Sequence, residues 1–492
     1  MAPGPDGLGS WPARRARIAS DRPALVGPRG PVSYGELAQR VDRLAGALAA
    51  AGVGPGDRVA QLGVNSVEVL ETFFAVWRLG AIAMPLNHRL AGPEIRFMLD
   101  DAGATFLVAG PDAVAPFGGA RLEVGPDYES AIASSPGLGE PPVVGLDDPA
   151  LLLYTSGTTG RPKGALLTHG NLTWNTVNQL AHVDVLSTDR ALCIAPLFHC
   201  VGIGQITLPT LFKGGSVEPV PKVDPGAILH RIGEAGITSF SGVPTMLQMM
   251  CEHPSFAGAD LSSLRVVQYG GSPVPARVAQ AWMDRGVTLQ QGFGMTEASP
   301  GVLMATREGS PDHPVSVGVP HFYTDVAMID GDERVPLHAG PAEVAVRGPN
   351  VFAGYWGRTE PALDDGWFRT GDVLTVAEDG WATVVDRVKD MYISGGENVY
   401  PAEVEAVLMR LPEVAGAAVV GVPDEKWGEA GIGFVQPADG ARLDLDALHA
   451  HLQEHLARYK VPRRLVVTDQ LPRTATGKIA KPALRAIAEE QR

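Results

Sequence analysis

The sequence predicts an α/β protein. It has a large N-terminal domain of parallel, helix-covered sheets that includes a small β-barrel-like part, followed by a small, mobile α+β C-terminal domain. Three features carry that expectation. Apolar runs of helical and of strand period alternate as far as residue 291, and strands alternating with long helices form parallel sheets covered on both faces. From about Asp325 short strands separated by Gly and Pro take over. A second helix–strand alternation begins after Asp386, which divides the chain into domains 1–388 and 389–492.

The elements follow in order. Ser33-Tyr-Gly-Glu36 has the spacing of a capping box, in which the Ser and Glu side chains each satisfy a free N–H at a helix start. Leu37, Val41, Leu44 and Leu48 then recur at helical period, and Gly52 ends the run. A helix over 67–79 stops at Gly80 before a strand over 81–84, and a helix over 93–101 precedes a strand over 105–108. Residues 109–142, rich in Gly, Pro and Ala, read as a variable surface segment. After an apolar run at 150–153 come helices over 171–181, 204–212, 225–234, 244–252 and 275–285, with strands over 191–195, 216–220, 238–241, 265–269 and 288–291. Short strands at 326–329, 343–347 and 381–385 make the β-rich part. The last unit holds helices over 401–410 and 445–458, strands at 417–420 and 432–435, and a final helix after Pro482. Ligands of parallel sheets sit beyond the carboxyl ends of strands, so the loops after strands are where chemistry is expected.

A chain of 492 residues with 45% apolar and 19% charged residues can bury a large core in two or three domains. Its net charge of −15 argues against non-specific nucleic-acid or anionic-membrane binding. Cys193, Cys200 and Cys251 form no Cys-x-x-Cys pair, so neither a zinc site nor a disulfide framework is indicated. No apolar run has membrane-spanning length, and Arg14, Arg15 and Arg17 are not followed by the apolar region of a signal peptide. Those arginines read as the exposed side of the first helix. Glu-Glu-Gln-Arg492 is no peroxisomal address, and a cytoplasmic location is expected. Composition leaves a homodimer open.

Tyr154-Thr-Ser-Gly-Thr-Thr-Gly-Arg-Pro-Lys-Gly164 follows the apolar run at 150–153. Gly157, Gly160 and Gly164 let the backbone approach a ligand closely, Thr155, Ser156, Thr158 and Thr159 add hydroxyl donors, and Lys163 adds a positive charge. A Gly/Ser/Thr loop alone is more often a polar surface turn. The preceding strand, the density of donors and the lysine favour phosphate. A Walker loop is excluded, because Gly164 stands where the metal-binding hydroxyl should follow the lysine.

The pattern Thr-Ser-Gly-Thr-Thr-Gly-x-Pro-Lys-Gly resembles the nucleotide loop of the adenylate-forming enzymes: acyl- and aryl-CoA synthetases, adenylation domains of peptide synthetases, and luciferases. The resemblance implies ATP phosphates on Thr155, Ser156, Gly157, Thr158, Thr159, Gly160 and Lys163. Further segments extend it in order. Gln291-Gly-Phe-Gly-Met-Thr-Glu297 resembles the family's Tyr-Gly-x-Thr-Glu motif. By that resemblance Gln291, Gly292, Phe293 and Gly294 bound the nucleotide, with Phe293 stacking on adenine in place of the commoner Tyr. Thr296 meets phosphate, and Glu297, with Thr155, holds Mg2+. Tyr269-Gly-Gly-Ser-Pro273 resembles the segment lining the adenine and acyl pockets through Gly270, Gly271 and Ser272.

Ala195-Pro-Leu-Phe-His199 resembles the family's aromatic-His segment, which makes His199 a steric gate or orienter at the acyl and pantetheine crossing. Adjacent Cys200 does not make a Cys/His nucleophile of it, because consecutive side chains diverge in an extended segment. Thr370-Gly-Asp372 and Asp386-Arg-Val-Lys-Asp390, by themselves charged turns, look like the family's ribose clamp and hinge. Asp372 would accept both ribose hydroxyls, Arg387 would assist, and Lys389 would be the hinge; Asp386 stands where Gly is frequent. The stretch from Ser394 through Gly395 and Gly396 to Glu405 resembles the loop that lines the coenzyme A tunnel after the small domain turns. Pro472-Arg-Thr-Ala-Thr-Gly-Lys478 resembles the last family motif, with Lys478 reaching the acyl carboxylate and α-phosphate.

These resemblances imply an AMP-forming acid–thiol ligase. Mg-ATP and a small-molecule carboxylic acid give acyl-AMP and pyrophosphate, and coenzyme A then takes the acyl group. Triphosphate and carboxylate are both anionic, so a metal and a cation must offset charge where it develops. One alternative is adenylation alone, with transfer to a separate carrier protein or partner enzyme; no carrier-type Gly-x-Asp-Ser segment follows Lys478. Another is a binding protein that keeps the fold without catalysis, against which Glu297, Asp372, Arg387 and Lys478 all stand.

The implied acyl pocket comprises His199, Val201, Gly202, Gln205, Ser241, Gly242, Val243, Gly270, Gly271, Met295 and 300–302, with Pro300 and Val302 among them. It holds no Arg or Lys, which argues against a dicarboxylate, whose second charge would be buried unpaired. An apolar or aromatic monocarboxylate, hydroxycinnamate-like or a fatty acid, is expected. The opening Gly-Leu-Gly-Ser-Trp-Pro-Ala-Arg-Arg-Ala-Arg17 and the run Leu167-Thr-His-Gly-Asn-Leu-Thr-Trp-Asn175 look most like actinobacterial feruloyl-CoA and fatty-acid-CoA ligases.

Overall fold

The structure, a computed structural model, describes residues 7–490 except 112, 114–116, 156–161, 272–273, 332, 388–389, 395–396, 425–426, 457 and 475–477, with backbone alone for 386, 387, 393, 397, 398 and 428. Two large sheets dominate it. In a nine-stranded sheet, parallel strands run in the order Leu289–Gly294, Val266–Gly270, Ser239–Gly242, Arg190–Cys193, Ser216–Pro219 and Pro23–Gly27. Antiparallel strands extend both edges. A seven-stranded sheet is parallel from Ala120–Glu123 through Phe106–Ala109, Arg58–Leu62 and Ile82–Leu86 to Pro149–Thr155. Lys163–Thr168 and Gly354–Tyr355 then add antiparallel strands.

One core joins both sheets through the helices Tyr34–Ala50 and Val67–Arg78. The capping box is present as expected: Ser33 Oγ accepts from Glu36 N and the Glu36 carboxylate accepts from Ser33 N. Val67–Arg78 is apolar almost all round and buried along its length, as a helix sandwiched between sheets must be. Its Trp77 donates an indole N–H to the Ala150 carbonyl at 2.7 Å. Arg14 and Arg17 lie on the exposed side of the first helix, whereas Arg15 is half-buried and donates to the Phe212 carbonyl.

The segment 109–142 is mostly exposed or half-buried, but it is more ordered than its composition suggests. It contains the strand Ala120–Glu123 and the helix Pro126–Ser134, anchored by the buried Tyr128, whose hydroxyl reaches the buried Glu71 at 3.2 Å. A single aromatic anchor sets up no periodicity, so nothing in the pattern announced it. The expected helix over 204–212 also differs: a π-helical turn, Gly202–Thr207, precedes the α-helix Leu208–Lys213, and Thr207 Oγ1 donates to the Gly202 carbonyl at 2.6 Å. A wide turn breaks the 3.6 period, and such turns gather at functional sites.

The β-rich part is a five-stranded antiparallel sheet in the order Glu333–Val335, Asp325–Asp330, Gly340–Arg347, Phe368–Val376 and Ala382–Arg387. The C-terminal sheet begins at Tyr392 and is built on a long hairpin, Val414–Asp424 with Gly428–Pro437. Alternate residues of that hairpin face opposite ways: Val419 and Val435 pack under Pro401–Leu408 and Leu445–His455, whereas Val420 and Phe434 pack under Lys481–Glu490. Among the described residues no helix is long and apolar enough to cross a membrane.

Candidate active site

Neighbouring parallel strands of the nine-stranded sheet end together. Register sets Gly242 beside Tyr269, Tyr269 beside Gln291, and Gly270 beside Gly292. At Gly294 the backbone approaches itself so closely that a Cβ would lie 1.7 Å from the Pro300 carbonyl oxygen, so no other residue fits. Past it the chain makes a single 3-10 turn, Thr296–Ala298, and Ser299 takes a left-handed φ of 69°.

Buried amides tie this turn down. Asn175 donates to the Gly204 carbonyl at 2.8 Å and accepts from Gly301 N at 3.1 Å. Asn350 donates to the carbonyls of Ala298 and Gly301 at 3.0 and 2.7 Å. The result fixes Glu297 in a site where it is only 9% exposed, its Oε1 accepting from the Tyr355 hydroxyl at 2.7 Å. Burial, then the Glu297 charge, push the Tyr355 hydroxyl well above its usual range, so it stays a donor.

Thr296, His199 and Lys478 meet beside Glu297. Thr296 Oγ1 lies 3.6 Å from Cys200 Sγ. Burial pushes the Cys200 thiol up to about 11, so it is protonated at neutral pH and is no nucleophile. His199 is pushed down to about 4, first by burial and then by the positive charges of Lys478 and Arg89. It is therefore a neutral ring at neutral pH. Gly271 takes a left-handed φ of +94°, which favours glycine, and a Cβ built there would be in ordinary contact with Lys478 Cε at 3.8 Å, so the lysine stem lies over this strand end. The far C-terminal motif thus reaches the same point as the mid-chain ones.

The strands on either side of the predicted phosphate loop pair antiparallel. Thr155 pairs with Lys163 and Tyr154 with Gly164. A strand follows the loop, not the helix of a Walker site. Ser156, Gly157, Thr158, Thr159 and Gly160 lie outside the described residues, as do Ser272, Lys389, Gly395, Gly396 and the Arg387 side chain. Lys163 Nζ sits 5.4 Å from the ring centroid of Tyr355, which links the base of the loop to Glu297. Asp372, which is buried, and the backbone of Arg387 are register partners on adjacent strands. Gln291 accepts from the Tyr269 hydroxyl at 2.8 Å, so one of its polar atoms is committed to the fold. Phe293 packs into the main core. Ser394 is buried in the C-terminal sheet, where its strand pairs with Gly428.

The acyl-pocket candidates Val201, Gly202 and Gln205 fall at the π-helical turn, and Gly242 and Val243 at the end of a neighbouring strand. A Cβ on Gly292 would lie 3.4 Å from Gln205 Nε2. Met295 N donates to the Pro300 carbonyl at 2.9 Å, and Val302 is buried on the strand that follows. Gln205 Oε1 and Ser241 Oγ, both buried, have no hydrogen-bond partner among the described residues. Sequence reasoning missed Tyr355, Asn175 and Asn350, which touch or brace the motif residues without belonging to a motif.

Among the described residues Glu297 belongs to no cluster of three metal-ligating side chains. The buried Glu297 carboxylate fits Mg2+, which takes one or two carboxylates and completes its shell with water and substrate phosphates. A buried carboxylate linked through Tyr355 to Lys163, and a lysine at a strand end, suit a nucleotide-dependent, carboxylate-activating ligase.

Comparison with known proteins gives the family. Residues 12–356 match the AMP-binding enzyme family and residues 403–478 match the AMP-binding enzyme C-terminal domain. The chain belongs to the AMP-binding enzyme family. Feruloyl-CoA synthases of Amycolatopsis sp. and Streptomyces sp. are 51% identical to it over 97% of this chain and 98% of theirs. An indoleacetate–CoA ligase of Aromatoleum aromaticum is 40% identical over 98% of each chain. The structure of o-succinylbenzoate CoA synthetase from Bacillus subtilis with its acyl-adenylate superimposes with a TM-score of 0.86 at 30% identity, over 97% of this chain and 98% of that one. The expected activity stands: this is an AMP-forming acyl-CoA synthetase that makes a thioester through acyl-AMP, using ATP, Mg2+ and coenzyme A.

Proposed function

We propose that the acid is an aromatic monocarboxylate of the hydroxycinnamate kind. The observation that carries this is the pair of unpartnered buried oxygens, Gln205 Oε1 and Ser241 Oγ, among otherwise apolar pocket candidates. A buried polar atom left unpaired costs about 1–3 kcal/mol. A phenolic hydroxyl can donate to either oxygen, whereas a fatty acyl chain satisfies neither. The absence of Arg and Lys from the pocket candidates argues against a second carboxylate, and the 51% identity to feruloyl-CoA synthases points the same way. The test is pyrophosphate release with ATP, Mg2+, coenzyme A and a panel of hydroxycinnamates, unsubstituted cinnamate and fatty acids. Equal rates for fatty acids would overturn the reading.

In the first step a carboxylate oxygen attacks the α-phosphorus, and the bond to pyrophosphate breaks. Lys478, seated over Gly271, offsets negative charge at the acyl carboxylate and α-phosphate. Glu297 and Thr155 would hold Mg2+, which when bound offsets charge on the departing phosphates. The 155–163 loop clamps the phosphates, Asp372 with Arg387 takes the ribose, and Phe293 with Gln291, Gly292 and Gly294 bounds the adenine. In the second step the coenzyme A thiol sulfur attacks the acyl carbon and AMP leaves.

Lys478 occupies the entrance during the first step, so the C-terminal domain, residues 389–492, turns about Lys389 to bring Ser394, Gly395 and Gly396 to the thiol's path. Neutral His199 orients and gates at that crossing rather than adding a charge. Measuring acyl-AMP and acyl-CoA separately distinguishes this from adenylation for a separate carrier protein. A cytoplasmic location, with its ATP and coenzyme A, completes the proposal; cell fractionation tests it.

A further inference from the structure

The helix Leu445–His455 ends in His451-Leu-Gln-Glu-His455, which belongs to none of the motifs of the ligase site. Residues 451, 454 and 455 stand at i, i+3 and i+4, so their side chains share one helical face. One donor atom from each of His451, Glu454 and His455 lies within 4.8 Å of the other two, and the two imidazole rings are 4.3 Å apart. Zinc ligands stand about 3.3 Å apart on a tetrahedral ion with bonds of roughly 2.0–2.1 Å. Closing the difference needs only side-chain rotation, because Glu454 and His455 are exposed and His451 is half-buried.

A second feature prepares the rings. His455 Nδ1 is 2.9 Å from the His451 carbonyl, and His451 Nε2 is 3.3 Å from the Val407 carbonyl of the neighbouring helix. A carbonyl oxygen can only accept, so in each ring that nitrogen carries the proton and the other keeps its lone pair. Metal-binding histidines are usually oriented in this way, with the remote N–H donated to a backbone carbonyl or carboxylate. Two imidazoles and a carboxylate suit a borderline divalent transition ion such as Zn2+, Cu2+ or Ni2+ rather than the all-oxygen preference of Mg2+.

We propose that His451, Glu454 and His455 form a surface site for one divalent transition-metal ion, with water completing its shell. The ion would cross-link the last turn of Leu445–His455, the helix whose His451 ring is hydrogen-bonded to the Val407 carbonyl of Pro401–Leu408.

The experiment uses the full chain without an affinity tag, stripped of metal with a chelator and titrated with Zn2+ in the absence of ATP. One equivalent should bind saturably, with water in the fourth position as in other open three-donor sites. The melting temperature should rise with Zn2+, since a ligand that binds the native state stabilises it. His451→Gln combined with His455→Gln should weaken binding about tenfold or more, and Glu454→Gln by less. Should the double variant fold poorly, His455→Gln alone, at an exposed position, serves. Retained acyl-CoA formation reports an intact fold. Absence of saturable binding up to about 100 µM Zn2+, or equal affinity in the His variants, overturns the proposal.

Discussion

The Tyr355 hydroxyl donates to a Glu297 carboxylate oxygen at 2.7 Å, while the same ring lies 5.4 Å from Lys163 Nζ. One side chain therefore braces both the proposed metal carboxylate and the base of the phosphate loop. Tyr355→Phe keeps the ring and removes the donor. A hydrogen bond to a charged group is worth about 1.5–3 kcal/mol, so kcat/KM for adenylation should fall about 10- to 100-fold. The loss should appear in the dependence on Mg-ATP. A variant with unchanged Mg-ATP dependence would show that Tyr355 only packs.

Lys478 should separate the two half-reactions. Removing a preorganised transition-state donor costs roughly 10²–10³ in rate. Lys478→Ala should lose that much in pyrophosphate release from acid and ATP, yet convert chemically supplied acyl-AMP and coenzyme A to thioester at near the parent rate. Equal loss in both steps would mean that the lysine holds the site together instead of acting on the first step.

The braces around Glu297 show where sequence was informative and where it was silent. Glycine, threonine and lysine positions in the motifs match a family pattern and can be read one by one, and the alternation of helix and strand reveals the parallel sheets. Asn171, Asn175, Asn178 and Gln179 follow the opposite logic. Spaced at i, i+4, i+7 and i+8, they form a polar stripe on the helix His169–His182, and a polar stripe ordinarily faces solvent. Here it is buried, because each amide meets a polar partner from another element: Asn171 donates to the carbonyls of Pro349 and Val351, Asn175 binds Gly204 O and Gly301 N, Asn178 accepts from Tyr323 N, and Gln179 accepts from Gln268. The partners that justify the stripe lie between 29 and 180 residues away, so no local pattern contains them. Asn175→Leu should destabilise the protein by about 2–4 kcal/mol, by leaving Gly204 O and Gly301 N unpaired. Thermal unfolding and the KM for ATP together check this.

Buried histidines predict acid sensitivity. Burial pushes His169 down to about 4, and burial together with the charge of His182 pushes His321 down to about 3. An unfolded histidine takes up its proton near pH 6.5. Below that pH the unfolded chain holds more protons than the folded one, so stability present in full above pH 6.5 is lost as pH falls toward about 4. At pH 5 each of these two histidines should cost about 2 kcal/mol relative to pH 7. His169→Gln, whose amide can still accept from Leu8 N, should reduce the pH 7 to pH 5 difference by that amount, whatever its absolute stability. An unchanged difference in unfolding free energy would show that His169 is already charged in the native state.

The pocket oxygens make the sharpest test of substrate. If Gln205 Oε1 accepts a hydroxyl from the acid, Gln205→Leu removes the acceptor while keeping a side chain of similar size. A site built to bond a substrate hydroxyl discriminates strongly against analogues lacking it, because its own polar groups are then stranded. The parent enzyme should therefore prefer a hydroxycinnamate over unsubstituted cinnamate. In Gln205→Leu the ratio of the two kcat/KM values should fall about tenfold or more, mainly by a gain for cinnamate and a loss for the hydroxylated acid. A uniform fall for both acids would assign Gln205 to the packing of the π-helical turn against Gly292. A preference that survives intact would move the recognition to Ser241, whose replacement by Ala should then collapse it.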